Sequence, residues 1–266
     1  MKQFILVVTL AAASFAQHDI ASIVQRSVEA NAEDWKTAPD YDYFERDVQQ
    51  AGGTKTYEEH MIYGSPYEQM VAVNGKPLSP EQQAQEQQKL EAAIVERQKE
   101  SPKERAQRIA RYERERTRNH LFMEQLTKGF VFQLMGEQKL GPREVYVLKA
   151  TPRPGYEPSN IEAKVLTGME GMLWIDKKTF QWVKVEATVI HPVSIAGFLA
   201  QVQPGTRFEL EKMPVTDSIW LPEHFAMKSQ ARVLFLFTRK SQDDETYYGY
   251  HKATPIKQLP LPSERW

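Results

Sequence analysis

The chain has 266 residues, 34 basic and 35 acidic side chains, a formal charge of −1 and no cysteine. Near-neutrality argues against nucleic acid as the main partner and gives no general attraction to anionic membranes. The missing cysteine excludes a disulfide framework, a thiol nucleophile, a thiolate metal site and lipid attachment at an N-terminal cysteine.

In chain order, the first segment reads as an export signal. Lys2 supplies a positive start, residues 4–10 are apolar, and Ser14, Phe15 and Ala16 place small residues where a signal peptidase reads. Cleavage after Ala16 is expected, leaving a chain that begins at Gln17. The apolar run falls short of the about 20 residues that a bilayer span needs. Export without cysteine suits a bacterial periplasm. Asp19 is placed to cap a helix whose apolar positions Ile20, Ile23, Val24 and Val28 recur at helical spacing, with an end near 31–35. Strands are expected over 41–48, 55–63 and 67–73. Turn signals at Gly52-Gly53, Gly64-Ser65-Pro66 and Asn74-Gly75 join them into an antiparallel meander.

The next segment changes character. Ser79-Pro80-Glu81-Gln82 and Ser101-Pro102-Lys103-Glu104 carry the same start signal, a capping serine with proline at the first helical position. Two consecutive helices follow, near 80–100 and 102–127. Lys103, Arg105, Arg108, Arg111, Arg114, Arg116 and Arg118 crowd the second one. They form either a solvated face or a surface for anionic headgroups or an acidic partner, with Arg105, Arg108 and Arg111 the candidate contacts. Strands resume at 130–133, 144–150, 163–166, 171–175, 182–189, 208–211, 219–221, 225–237 and 245–250. Asp176-Lys177-Lys178-Thr179 marks a hairpin. In the long strand, Phe225, Met227, Ala231, Val233, Phe235 and Phe237 share one face.

No reaction is spelled out. The six histidines are scattered, with no H-x-x-x-H or H-E-x-x-H spacing, so no local metal motif exists. A G-x-S-x-G elbow is missing, and the paired glycines do not continue into a phosphate loop. The carboxylates of Tyr57-Glu58-Glu59 and Asp243-Asp244-Glu245 read as solvated surface, because adjacent strand residues face opposite sides. No enzyme and no cofactor are expected.

The order of helix, three strands, helical insertion and longer meander resembles the LolA-like superfamily of periplasmic half-barrels. The text over 171–186, which includes Trp174-Ile175-Asp176 and the strand from Trp182, carries that resemblance. Asn74-Gly75-Lys76-Pro77-Leu78-Ser79 and the stretch 150–156 are similar to a group of exported bacterial proteins of unassigned function. The resemblance implies an α+β fold: a strongly curved antiparallel sheet, open as a half-barrel, with helices over its concave face. It further implies one domain over 17–266, with a charged helical insertion at about 79–127. The implied ligand is a lipid or lipoprotein acyl chain, held by a monomer without a membrane span and passed to an inner- or outer-membrane acceptor protein. The insertion is longer and more polar than a lid needs. That leaves open a second reading, an interaction or sensor module that binds a protein through these helices. Met169, Met172, Trp174, Phe208, Leu210, Phe225, Met227 and Phe235 are the candidates to line a ligand cavity, or else to fill the core. Phe198 and Leu199, in the apolar connection over 190–199, touch a membrane or acceptor if exposed and only pack if covered.

Overall fold

A computed structural model describes residues 5–49, 52–195, 200–233 and 237–253. A long helix α1 (Ile5–Thr37) and a 3-10 turn (Ala38–Asp40) lead into β1 (Tyr41–Val48), β2 (Thr54–Ile62), β3 (Ser65–Val73) and the two-residue β4 (Lys76–Pro77). Helices α2 (Pro80–Lys99) and α3 (Pro102–Gly129) follow. Next come β5 (Phe130–Leu140), β6 (Arg143–Pro152), a 3-10 turn (Glu162–Gly168), β7 (Met169–Asp176) and β8 (Trp182–Val189). The chain continues through the short β9 (Val193–Ser194) and β10 (Ala200–Val202) to β11 (Arg207–Pro214), β12 (Trp220–Val233) and β13 (Phe237–Lys252).

The strands form one antiparallel sheet in the order β4-β3-β2-β1-β13-β12-β11-β8-β7-β6-β5, with β10 and β9 appended to β12. The N-terminal meander joins the C-terminal one because the first strand pairs with the last, Tyr41 opposite Lys252 and Asp47 opposite Glu245. The two ends of the sheet, β4 and β5, are not paired to each other, so the sheet is open. With helices laid on it, this is the architecture expected of a LolA-like half-barrel.

Local chemistry explains the elements. Ser79 and Ser101 each accept a hydrogen bond from the backbone three residues on, and Gln82 and Glu104 reach back to the serine N–H, completing two capping boxes. At the β7–β8 turn, Asp176 Oδ1 accepts from the backbone N–H groups of Lys178 (2.9 Å) and Thr179 (2.7 Å) and from the Thr179 hydroxyl (2.9 Å). Gly64, at φ +85°, turns β2 into β3 directly under α3. A Cβ built there would stand 2.9 Å from Ile109 Cδ1, a side-chain end that can shift, so it is the left-handed backbone that favours glycine at this turn.

Two hydrophobic layers hold the helices down. Ile23 and Val24 of α1 pack into the main core with Phe130, Leu148, Leu173, Ile175, Trp182 and Val185, from strands β5 to β8. Leu90 and Ile94 of α2 cover Ile62 and the rings of Tyr63 and Tyr67 on the other half of the sheet. Each fully buried side chain of this size contributes about 1.5–3 kcal/mol.

Four expectations change. The first helix is continuous from Ile5, so Asp19 lies within it and does not cap it. Residues 163–166 form a 3-10 turn, not a strand: Asn160 Oδ1 accepts from the Ala163 N–H at 2.7 Å and starts the turn, while Ala163 and Leu166 still bury fully. The expected strands at 219–221 and from 225 onward are one, β12 running unbroken over Trp220–Val233, with a register shift opposite Glu211 and Lys212. Phe237 belongs to β13, where it pairs with Val233.

Candidate functional site

Between α1, α3 and the sheet lies a cavity of about 600 Å³. Its floor is a cross-strand row, Phe132–Ala150–Gly171–Ala187–Phe208–Met227, each residue paired with the next across six neighbouring strands. Laid flat, six strands would span about 24 Å. Both ends of the row line the one cavity. Val24 and Val28 of α1 and Leu126 of α3 form the roof.

The lining is overwhelmingly apolar. Ser27, Thr127, Thr206 and Ser229 are its uncharged polar members. Glu186 meets the cavity from a strand whose alternation turns its carboxylate outward, to Lys184 Nζ at 2.8 Å; Arg207 is exposed. Ser27 is already committed: its hydroxyl donates to the Val24 carbonyl (2.8 Å) and accepts from Trp182 Nε1 (3.3 Å). Water gains little on such a surface, and a hydrocarbon gains about 25 cal/mol for each Å² it covers.

The roof is anchored by a buried polar knot at the far end of α1. Asp34 Oδ1 accepts from the Trp220 N–H (2.9 Å) and from Gln181 Nε2 (3.0 Å), and Oδ2 accepts from Lys212 Nζ at 2.5 Å. Lys212 also reaches Asn31 Oδ1 at 2.8 Å. Burial pulls the Lys212 ammonium pKa down, and Asp34 counters it. Sequence reasoning missed this knot, since 34, 181 and 212 carry no common pattern.

Of the expected lining residues, Met169, Phe208, Phe225 and Met227 sit in the cavity wall. Leu210 lies one row away and packs into the main core. Met172 and Trp174 are a correction. They alternate with the buried Leu173 and Ile175, so they face the opposite side of β7, where Trp174 lies under Lys184 (5.9 Å from Nζ to the ring centre). Phe235, Phe198 and Leu199 fall outside the described residues; the same connection sends Ile195 into the cavity wall.

The basic helix also needs correction. Arg108 makes a two-pronged ion pair with Glu100 (2.6 Å from Nε and from Nη2) and donates to Ser65 Oγ at 2.7 Å. Arg105 donates to the Arg97 carbonyl at 3.1 Å. These two arginines tie the insertion to itself and to β3. Arg111 is exposed, beside Lys103 and Arg114 in a shallow depression over Ala106 and Ala110.

On the other half of the sheet, Glu59 and Glu245, expected to be solvated, are half-buried, and so is Glu45. Glu59 stands directly opposite Glu68 and Tyr43, and Glu45 opposite Tyr57 and Tyr247. Burial, then the charges of Glu245 and Glu59, push Glu45 up to about 8. Burial, then Glu68, raise Glu59 to about 7. Burial also drives the Tyr43, Tyr247 and Tyr250 hydroxyls up. Only cross-strand pairing creates this cluster, so the sequence alone could not display it. Among the described residues, no group of three metal-ligating side chains converges, and no helix is long and apolar enough to cross a membrane.

No family model and no curated protein matches the chain. Among solved structures it is similar to a domain from Vibrio parahaemolyticus named for outer membrane lipoprotein sorting, at 13% identity and a TM-score of 0.30, covering 90% of this chain and 97% of that one. It is similar to a LolA superfamily protein from Nitrosomonas europaea at 12% identity and 0.32, covering 89% and 94%. A DUF1329 family protein from Desulfovibrio piger is similar at 8% identity and 0.31, covering 87% and 92%. At scores this low, nothing about ligand or partner transfers from these proteins to this chain.

Proposed function

We propose that this chain is an exported, periplasmic binding protein that holds an acyl chain of a lipid or lipoprotein and passes it on, without catalysis or a cofactor. The observation that carries this reading is the cavity of about 600 Å³, apolar in its lining and roofed by helices. An acyl chain gains about 0.8 kcal/mol per buried methylene, so ten buried methylenes supply about 8 kcal/mol, the scale of micromolar binding. An open cavity beneath the helices supports a carrier over an interaction module, which would need only a packed sheet as scaffold. The internal use of Arg108 supports it too, since its guanidinium is held by Glu100 at 2.6 Å and is largely covered.

The test is displacement of a fluorescent fatty-acid probe from the purified protein. Met227→Asp places a charge in the cavity wall and is expected to lower probe affinity by at least tenfold. Met172→Asp, on the other face of the sheet, is expected to leave it unchanged. A probe held equally by both variants would contradict the assignment of the cavity.

A further inference from the structure

Resting on the acyl reading above, we propose that the cavity takes one unbranched hydrocarbon chain at a time, laid across the strands in a trough over Ala150, Gly171 and Ala187, which Phe208 narrows ahead of Phe225 and Met227 and so limits the chain length accepted.

The register makes the trough. In the floor row the three central positions are Ala150, Gly171 and Ala187, small residues on three adjacent strands. Two residues along each strand, the neighbouring row reads Leu148, Leu173 and Val185. On the opposite side stand Pro152 of β6, paired with Phe130, and Met169 paired with Val189. The floor is therefore low in the middle and high on both sides. The flanking rows are about 13 Å apart, and the trough runs across the strands between them. Phe132 stands at one end of the trough and Phe208 at the other, its ring edge-on to Phe225 with 5.4 Å between ring centres.

Gly171 has no freedom to become larger. A Cβ there would stand 2.7 Å from the Glu186 carbonyl oxygen, because β7 and β8 approach closely at this point. Ala150 is almost fully covered, whereas Ala187 is half-buried, so the small side chain at 187 is what keeps the trough open.

Volume fixes the number of chains. A methylene occupies about 27 Å³ at the packing density of a protein interior, so a sixteen-carbon chain needs about 430 Å³ and two of them about 860 Å³. The cavity of about 600 Å³ holds the first and excludes the second. Its few uncharged polar side chains offer no pairing for an ionised headgroup, and Arg207, the cation among its lining residues, is exposed, so the headgroup stays outside the trough.

The experiment is native mass spectrometry of the full protein offered hexadecanoate, decanoate or vesicles of dihexadecanoyl phosphatidylglycerol. The wild type is expected to carry one hexadecanoate and no two-chain phospholipid. Ala187→Phe fills about four methylenes' worth of trough and should weaken hexadecanoate about a hundredfold while holding decanoate within a few-fold. Phe208→Ala should extend binding to chains longer than those the wild type accepts, and it decides the matter if Ala187→Phe fails to fold by circular dichroism. Equal hexadecanoate binding by Ala187→Phe, an unchanged length limit in Phe208→Ala, or a retained two-chain phospholipid overturns the single-chain trough while leaving the acyl reading standing. A wild type that binds none of the three overturns both.

Discussion

Replacing Glu45 by glutamine should remove a pH dependence that the fold imposes on itself. Glu45 lies half-buried on β1, opposite Tyr57 and Tyr247, and its carboxyl is raised from 4.5 to about 8 by burial and by the charges of Glu245 and Glu59. Between these two values the folded chain holds a proton that the unfolded chain has released. Stability conferred by that proton is complete below about 4.5 and is lost as pH rises through about 8. At about 1.4 kcal/mol per pKa unit the full displacement would reach about 5 kcal/mol, and partial solvent exposure of the carboxyl reduces it to about 1–2 kcal/mol. Glutamine mimics the protonated acid. Glu45→Gln should therefore match the wild type at pH 5 and exceed it by about 1–2 kcal/mol at pH 9, which for a chain of this size is a rise in Tm of about 2–8 °C. Urea denaturation and thermal melts across pH 5–9 measure both curves. Parallel curves for wild type and variant would refute the reasoning, because the variant would then have removed no titrating group.

Two further predictions concern how the helices are held. Asp34→Ala strands the Lys212 ammonium in the core and should cost about 3–5 kcal/mol in urea unfolding, whereas the double variant Asp34→Asn/Lys212→Met, which keeps an acceptor for the Trp220 N–H and Gln181 Nε2, should recover most of that loss. A cost below about 1 kcal/mol for the single variant would mean that the knot anchors nothing. Ser101→Ala breaks a capping box and should destabilise by about 1 kcal/mol, read as faster amide hydrogen exchange in the first turn of α3 with the β-sheet unaffected. Uniformly faster exchange over the whole chain would show that the cap acts on global stability instead.

Local signals carried much of the fold. Both helical starts in the insertion were legible because a capping box is written in four consecutive residues. The Asp176 hairpin was legible because its side chain satisfies its own turn. Strand existence followed from alternation, and β1 and β8 have the bounds that alternation gives. What alternation cannot give is which face is inside. Met172 and Trp174 are as apolar as Met169 and Leu173, yet one residue of phase sends them to the other side of the sheet. Pairing between distant strands was equally invisible. The β1–β13 pairing that gathers Glu45, Glu245 and Tyr247 spans nearly the whole chain, and so does the Asp34–Lys212 contact. The arginines of α3 looked alike in sequence. Three-dimensional neighbours separate Arg108, which is locked to Glu100 and Ser65, from the exposed Arg111.

The most direct measurement is methyl NMR of the methionine side chains with bound stearate, read as isotope-filtered NOEs, which arise only between groups in contact, from the unlabelled acyl chain to the labelled methyls. Met169 and Met227 line the cavity and Met172 lies on the opposite face of the same sheet, so the three methyls report on the two sides independently. If an acyl chain occupies this cavity, Met169 and Met227 should show NOEs to the stearate methylenes that grow with added ligand, and Met172 none. NOEs at Met172 with none at Met169 and Met227, or no NOE at saturating ligand, would contradict the account.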